Sequence, residues 1–148
     1  MSTHVWSLAC LPMASESPKA PSDFHDLLNA PLTAVLSTVM GDGSLQGTPV
    51  WYWFDGAHVD VSTVTARQKY RNLKRDPRLA LTVFDPARPL RYIEIRGTAE
   101  LHDDPDGEMR DRIAVKHGFP DGRAFDPPGA ERVTVRIVPT RIRTSSTD

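Results

Sequence analysis

The sequence predicts one α+β domain built on an antiparallel β-barrel with a few short helices. Roughly six strand-like segments are interrupted by three short helical segments, and tight-turn dipeptides stand where a parallel sheet would need crossover helices. With 148 residues, 39% of them hydrophobic and 25% charged, the chain suits a single globular core. These three observations argue against a mainly disordered chain and against a doubly wound dinucleotide-binding fold.

The predicted domain covers residues 22–143, with a tail on each side. Residues 1–21 are expected to be a flexible N-terminal tail, because their last part is rich in Ser and Pro and is typical of a linker. Residues 144–148 are expected to be a short C-terminal tail. Met13 is an alternative to Met1 as the natural start.

Targeting signals and metal ligands are both sparse in this sequence. The N-terminal stretch lacks the basic start of a signal peptide, so a cytoplasmic location is expected. No apolar run reaches the roughly 20 residues that cross a bilayer. The single cysteine, Cys10, excludes an internal disulfide framework. The five histidines make no HxH or i,i+4 pair, so no metal site is expected.

The first half of the domain is predicted as a short helix followed by three strands. Leu27 and Leu28 face inward on a helix that Ser22 caps and Pro31 ends. Asp-Gly pairs tolerate the positive φ of tight hairpin turns, so two such pairs should join the strands into an antiparallel meander. The strands are Leu32–Val39, Thr48–Phe54 and His58–Thr63, and the turns are Asp42-Gly43 and Asp55-Gly56.

The second half is predicted as helices alternating with strands. Apolar residues recur at helical spacing over Thr65–Arg75, in a helix that Thr65 caps and Asp76-Pro77 ends. Gly97 marks a bulge in a long strand. The other elements are strands at Arg78–Phe84, Arg91–Leu101 and Arg132–Val138, a helix at Glu108–His117 and a proline-containing loop at Phe119–Gly129.

A compact basic block stands out in a chain whose formal net charge is -1. Residues 67–78 hold six Lys or Arg and one Asp, so this stretch is strongly positive while the remainder is acidic. Such a block is typical of a discrete anionic ligand site or of a solvated helix face. The acidic remainder argues against a generally basic nucleic-acid binder.

The sharpest functional signal lies at residues 62–69. A strand ends in Ser62-Thr63, a helix opens near Thr65, and Arg67 and Lys69 follow at once. Hydroxyls, free backbone amides and two cations would converge at a helix start, which favours a phosphate. The alternative is ordinary helix capping beside a solvated basic helix.

Aromatic residues crowd the strand that should border this helix. Trp51 and Trp53 share one face of it and Tyr52 takes the other. A flat aromatic ligand could stack there, and core packing or a subunit interface is the alternative. The sequence holds no GxGxxG, GK[ST] or GxSxG motif, so no catalytic residue is assigned.

Three stretches together resemble the pyridoxamine-5'-phosphate-oxidase-like split β-barrel superfamily. They read LSTVMGDGSLQGTPVWYWFDG, VDVSTVTARQKYRNLKRDPRLALTVFD and IEIRGTAEL. The most specific piece is ARQKYRNLKRDPRLAL, a basic helix that runs into a strand. Within the superfamily the sequence is most similar to the deazaflavin-dependent reductases that use coenzyme F420.

The resemblance implies a homodimer with a cofactor site at each subunit interface. The tricycle of the cofactor would lie along the second strand, at Gln46, Gly47, Thr48, Pro49 and Val50. The cofactor phosphate would lie on Ser62, Thr63, Arg67, Gln68 and Lys69. The facing subunit would contribute Tyr92, and an extended anionic tail would be served by Arg71, Lys74 and Arg75.

The activity that the resemblance implies is hydride transfer from F420 to a small unsaturated or conjugated acceptor, without a nucleic-acid or membrane partner. Tyr92 and His58 are the candidates for a proton donor. An FMN-dependent oxidase or reductase is one alternative, and a non-catalytic flavin-, deazaflavin- or haem-binding module is another. The Arg-x-His substrate clamp of the vitamin B6 oxidases corresponds here to Arg141-Ile142-Arg143, which lacks the histidine and argues against that reaction.

Overall fold

The computed structural model describes residues 16–147 and shows one antiparallel sheet of seven strands with three short α-helices. The strand order is β2-β1-β5-β6-β7-β4-β3. This architecture confirms the predicted α+β class. The strands are β1 (Ala34–Val39), β2 (Leu45–Val50), β3 (Trp53–Phe54), β4 (Val59–Val64), β5 (Arg78–Asp85), β6 (Arg88–Asp103) and β7 (Arg132–Ser146), and the helices are α1 (His25–Asn29), α2 (Gln68–Arg75) and α3 (Glu108–Lys116).

The connection between β2 and β3 makes the sheet curl. These two strands form opposite edges of the sheet, yet only Trp51 and Tyr52 separate them in the chain. Three consecutive Cα spacings reach no further than about 11 Å, so the two edges must approach each other. The result is a half-closed barrel. The predicted three-strand meander is therefore wrong: the segment expected at Thr48–Phe54 is divided, and its two parts pair with different neighbours.

Both predicted Asp-Gly turns are present and join the strands as expected. Gly43 has a φ of 85° between β1 and β2, and Gly56 has a φ of 95° between β3 and β4. In each turn the preceding aspartate carboxylate accepts backbone amide hydrogen bonds, from Ser44 and from His58. The local chemistry of each hairpin was therefore predictable, although the arrangement of the hairpins in the sheet was not.

The long strands β6 and β7 form the back of the barrel. Their register shifts at Gly97, which confirms the predicted bulge. A Cβ atom at this position would lie 2.0 Å from the Val138 carbonyl oxygen, so only glycine fits. Strand β7 continues past its predicted end at Val138, pairing as far as Ser146 with Arg91. Residues 144–146, which the sequence analysis placed in a C-terminal tail, thus belong to the sheet.

The helices pack against β1, β3, β4 and β5 and differ from expectation mainly at their starts. Ser22 opens a 3-10 helix, Ser22–Phe24, instead of capping α1. Helix α2 begins at Gln68, with Arg67 as its N-cap residue, so Thr65 is not its cap. The amides of Glu108 and Met109 at the start of α3 donate hydrogen bonds to the Asp104 carboxylate.

The core fills the concave side of the sheet and includes Tyr52. This side chain is fully buried, and its hydroxyl donates a 2.6 Å hydrogen bond to the Leu27 carbonyl oxygen. The core cluster extends across all the long strands and contains Leu28, Leu36, Val61, Leu81, Val83, Ile93, Val135 and Ile137 among its most buried members. The hydrogen bond from Tyr52 to Leu27 fixes the β2–β3 connection to α1.

The predicted N-terminal tail falls largely outside the described residues. Residues 16–21 are described and have no regular secondary structure, but Ala20 packs against the core and its carbonyl oxygen lies 3.0 Å from His25 Nε2. Within the described part of the chain, no helix is long and apolar enough to cross a membrane.

Candidate functional site

A cavity of about 600 Å³ lies where the ends of β2 and β4 meet the start of α2, one face of α3 and the loop before β7. Its volume falls in the range of small-molecule and cofactor sites. Its wall combines apolar side chains with hydroxyls and cations. The lining residues from the strands and α2 are Pro49, Val50, Trp51, Ser62, Thr63, Val64, Ala66, Arg67 and Lys69; those from α3, the loop and β7 are Arg110, Ile113, Ala114, Phe125, Pro127 and Arg132.

The turn between β4 and α2 presents an uncapped helix start to this cavity. Arg67 occupies the N-cap position with extended backbone, and no side chain caps the helix. The first amides of an α-helix have no partner within the helix, so they remain available to an outside acceptor. Asp and Glu are absent from the first turn of α2. This end of the helix therefore carries the partial positive charge of the helix dipole without a neutralising carboxylate.

Arg67 and Lys69, here called the cationic pair, project from this turn into the cavity wall. Neither side chain makes a hydrogen bond or ion pair with another described residue. Burial lowers the pKa of the half-buried Lys69 ammonium, and the nearby positive charge of Arg67 lowers it further. Two like charges without a counterion are an unfavourable arrangement that an anionic ligand would relieve.

Arg110 and Arg132, here called the paired arginines, line the same cavity but are fully neutralised. Both guanidinium groups bind the Asp126 carboxylate, and Arg110 also donates a 3.0 Å hydrogen bond to Asp111. All three partners in the Asp126 cluster are largely buried, with exposures of 12–15%. Hydrogen bonds from the two arginines hold the pKa of Asp126 below its usual value, although burial alone would raise it.

This ion-pair cluster anchors the loop before β7 over the cavity. The Asp111 carboxylate on α3 accepts the Gly122 amide, and Asp126 connects the loop to α3 and to β7. Arg132 also donates a 3.2 Å hydrogen bond to the Ser62 hydroxyl. The cluster therefore fixes both the loop and one predicted phosphate ligand.

An apolar wall, made by Trp51, Ile113, Ala114, Phe125 and Pro127, forms the remaining side of the cavity. Behind it, the His117 imidazole stacks on Trp51 with ring centroids 3.8 Å apart and planes within 7°. Burial lowers the pKa of His117, and the neighbouring Lys116 ammonium lowers it further. His117 Nε2 is buried and finds no hydrogen-bond partner among the described residues.

Six of the eleven predicted cofactor-binding residues line this cavity. Their positions come from three separate elements, so the fold brings the predicted phosphate residues together with Pro49 and Val50, which only the resemblance had added to the site. The six are Pro49, Val50, Ser62, Thr63, Arg67 and Lys69.

The other five predicted residues do not line the cavity of the single chain. Gln46 and Gly47 lie on β2 away from the cavity, and the Thr48 hydroxyl is buried without a hydrogen-bond partner among the described residues. Gln68 binds the Asn72 side chain at 2.8 Å. Tyr92 lies on β6, beside Phe84 on one strand and Ser145 on the other.

The candidates for a proton donor and for tail binding are also placed elsewhere. His58 pairs with Asp55 in the β3–β4 turn, at 3.3 Å. Arg71 is bound to the Ala66 carbonyl oxygen and Arg75 to the Val39 carbonyl oxygen. Only Lys74, of the three basic residues assigned to an anionic tail, is exposed without a bond to the rest of the described chain.

The contributions of the loop and of α3 to the site were not predicted from the sequence. Arg110, Arg132, Phe125 and Pro127 line the cavity but were not singled out. The available signal was a pair of phenylalanines in an otherwise polar loop, where aromatic side chains have no core to fill. Asp126 carried no recognisable pattern, because its two arginine partners lie 16 and 6 residues away.

A second, smaller cavity of about 300 Å³ lies beside the start of α3. It is lined mainly by charged residues, of which Asp60 is bound to Arg136 and Asp104 caps α3. No group of three or more His, Cys, Asp and Glu side chains in residues 16–147 is placed to hold a metal ion. Asp60, Arg136 and Asp104 thus have structural roles.

The curled, half-closed antiparallel sheet with three short helices defines a split β-barrel protein. The chain belongs to the pyridoxamine 5'-phosphate oxidase family, whose sequence profile matches residues 21–146. This match confirms the resemblance seen in the sequence.

Solved structures agree with this assignment. A protein described as an F420 reductase is 35% identical, with a TM-score of 0.74 over 84% of this chain and 98% of that one. A conserved hypothetical protein from Mycobacterium tuberculosis is 26% identical, with a TM-score of 0.69 over 90% of this chain and 89% of that one. A putative pyridoxamine 5'-phosphate oxidase from Listeria innocua, at 24% identity and a TM-score of 0.58 over 76% of this chain and 87% of that one, shares the fold.

Proposed function

We propose that the protein is an oxidoreductase that binds coenzyme F420 and transfers hydride to a small unsaturated or conjugated acceptor. The observation that carries this proposal is the cationic pair, Arg67 and Lys69, which faces the cavity without a counterion beside an uncapped helix start. The similarity to an F420 reductase at 35% identity supports the choice of coenzyme.

The residues of the turn fit a cofactor phosphate. Ser62 and Thr63 lie near the end of β4 and line the cavity, and the first amides of α2, at Gln68 and Lys69, follow five to seven residues later. Hydrogen bonds to charged groups contribute about 1.5–3 kcal/mol each. Arg110 and Arg132 already have the Asp126 carboxylate as their partner. The positive charge that remains without a counterion is therefore that of the cationic pair.

The protein would contribute binding, orientation and exclusion of water. When bound, reduced F420 supplies a hydride to an electron-poor double bond. The cationic pair would fix the phosphate end of the cofactor, and Pro49 and Val50 at the end of β2 would border its ring system. The loop held by Asp126 would limit access of water to that space.

FMN is the second candidate cofactor, and the charge of the site favours it specifically. FMN ends in a phosphate monoester, which carries nearly two negative charges at neutral pH. Arg67 and Lys69 offer two uncompensated positive charges, so the match is close. The absence of the clamp histidine at Arg141-Ile142-Arg143, which lie in the β6–β7 ladder, argues against vitamin B6 as the substrate.

We further propose that a second copy of the chain completes each site. Tyr92 lies away from the cavity of its own chain, which is compatible with the role that the resemblance gives it in the facing subunit. Sedimentation velocity of the full chain should show a dimer, and a monomer at micromolar concentration would contradict this part of the proposal.

The test of the cofactor site is a fluorescence titration of the cofactor-free protein with F420 and FMN. Arg67→Ala and Lys69→Ala should each weaken binding about 10- to 100-fold, the effect of losing roughly 1.4–2.8 kcal/mol. Arg78→Ala is the matched control, because it removes an exposed cation that is already paired with Asp76.

The outcomes separate the candidates. Tighter binding of F420 together with reduction of an enone by the loaded protein would support the proposed function. Preference for FMN would favour the second candidate, and binding without turnover of any acceptor would indicate a non-catalytic module. Unchanged affinity for both cofactors in both variants would reject the phosphate assignment.

A further inference from the structure

The apolar wall contains aromatic surface that binding of a phosphate does not require. Phe125 lines the cavity and is 46% exposed. Because Phe125 is both part of the lining and exposed, part of its ring faces the space that a ligand would fill. Trp51 borders the same space from the β2–β3 connection.

The aromatic rings are held in position before any ligand arrives. His117 covers one face of Trp51, and the edge of Phe125 approaches Trp51 with ring centroids 5.9 Å apart. Phe119 supports Phe125 from outside the cavity, at 5.2 Å between centroids. Asp126, the next residue along the chain, fixes the backbone at Phe125 through its ion pairs.

We propose that the apolar wall is the acceptor subsite, that it takes an uncharged, planar, conjugated ring, and that Phe125 determines this specificity. Aromatic side chains favour flat rings in offset or edge-to-face contact at centroid separations of about 4.5–7 Å. A charged substituent finds no free counterion at this wall, because Arg110 and Arg132 already have carboxylate partners and the cationic pair is assigned to the cofactor phosphate. The inference rests on the proposed function, since it gives the substrate class of that site.

The experiment compares two uncharged ketones of equal carbon number by calorimetric titration of the full chain. One is 2-acetylnaphthalene, which is planar, and the other is its fully saturated decalin analogue, which is not. The planar ketone should bind at least tenfold more tightly, although the saturated one is at least as hydrophobic. Phe125→Ala should weaken binding of the planar ketone about tenfold, the upper range of one aromatic contact.

Val115→Ala is the matched control, because Val115 is an apolar residue on α3 that is 57% exposed, does not line the cavity and does not belong to the aromatic cluster. Its affinity for the planar ketone should stay within threefold of the wild type. Equal affinity for the two ketones, or an unchanged affinity in Phe125→Ala, would overturn the inference. So would a Phe125→Ala variant that dissociates a dimer while it keeps its affinity for the planar ketone.

The cofactor site can be tested separately with the same probe. Arg67→Ala should lose affinity for F420 but retain its affinity for 2-acetylnaphthalene. If Arg67→Ala keeps its affinity for F420, the phosphate assignment fails, and the result for Phe125 still decides the acceptor subsite.

Discussion

The cavity contains two pairs of cations that differ in one respect. Arg110 and Arg132 share the Asp126 carboxylate, whereas Arg67 and Lys69 have no acidic partner among the described residues. The paired arginines connect a loop, a helix and a strand, and the cationic pair connects nothing. A positive charge that the protein neutralises itself thus serves the structure, and one that it leaves uncompensated is available to a ligand.

The largest effect should follow from breaking the neutralised pair. Asp126→Ala leaves two largely buried guanidinium groups without their shared carboxylate, which should lower the free energy of unfolding by about 3 kcal/mol. Urea denaturation measures this change. An Asp126→Ala protein as stable as the wild type would show that the loop is held by its apolar contacts instead.

Removing a member of the cationic pair should change the free energy of unfolding in the opposite direction. Lys69→Met deletes a half-buried charge that has no partner, so the free energy of unfolding of the cofactor-free protein should not fall and should rise by up to roughly 0.5 kcal/mol. Inorganic phosphate should raise the Tm of the wild type and not that of the variant. A clear loss of stability in Lys69→Met would contradict the comparison.

Lys116 sharpens the comparison, because its partners are neutral. Its ammonium donates hydrogen bonds to the Leu28 and Tyr52 carbonyl oxygens and lies 4.0 Å from the centre of the Tyr52 ring. Burial lowers the pKa of Lys116 to about 8 from 10.5. Between these two values the unfolded chain binds more protons at this residue, so the contribution of Lys116 to stability rises with pH.

The measurement is the difference in unfolding free energy between wild type and Lys116→Met at several pH values. That difference should move in favour of the wild type from pH 8 to pH 10. Burial raises the pKa of the Tyr52 hydroxyl, but Tyr52 is present in both proteins, so its own titration cancels in this difference. A difference that does not change with pH would show that Lys116 keeps its ordinary pKa.

The smallest effect belongs to an exposed pair. Asp76 accepts hydrogen bonds from Arg78, whose side chain is 72% exposed. Water solvates Arg78 and still reaches Asp76, which is 23% exposed, so Asp76→Asn should leave urea denaturation of the protein almost unchanged. A large loss here would mean that neutralisation by itself, without burial, stabilises this fold.

The sequence revealed those parts of the molecule that depend on neighbouring residues. The turns at Gly43 and Gly56, the bulge at Gly97 and the cations after Thr63 were all predicted, because each depends on a short stretch of chain. The strand order was not, since the pairing of β4 with β7 joins residues that lie about 70 positions apart. Short patterns carry no information on such pairings.

The same reasoning explains which half of the site was foreseen. Arg67 and Lys69 could be predicted as site residues, because they lie in a strand-to-helix turn that a short stretch of sequence specifies. Phe125 and Asp126 acquire their roles only when the loop folds back onto α3 and β7, and nothing in the loop's own composition specifies that contact.

The two-residue connection between β2 and β3 closes the barrel and also forms part of the cavity wall. The Tyr52 side chain is buried in the core, and the Trp51 side chain lines the cavity. The covalent connection between the two edges of the sheet is therefore also part of the cavity wall. A circular permutant opened between Trp51 and Tyr52 would retain every hydrogen-bonded strand pair and lose the covalent connection between β2 and β3. The two edges of its sheet should move apart, so its ligand affinity should fall while its β-sheet content stays the same.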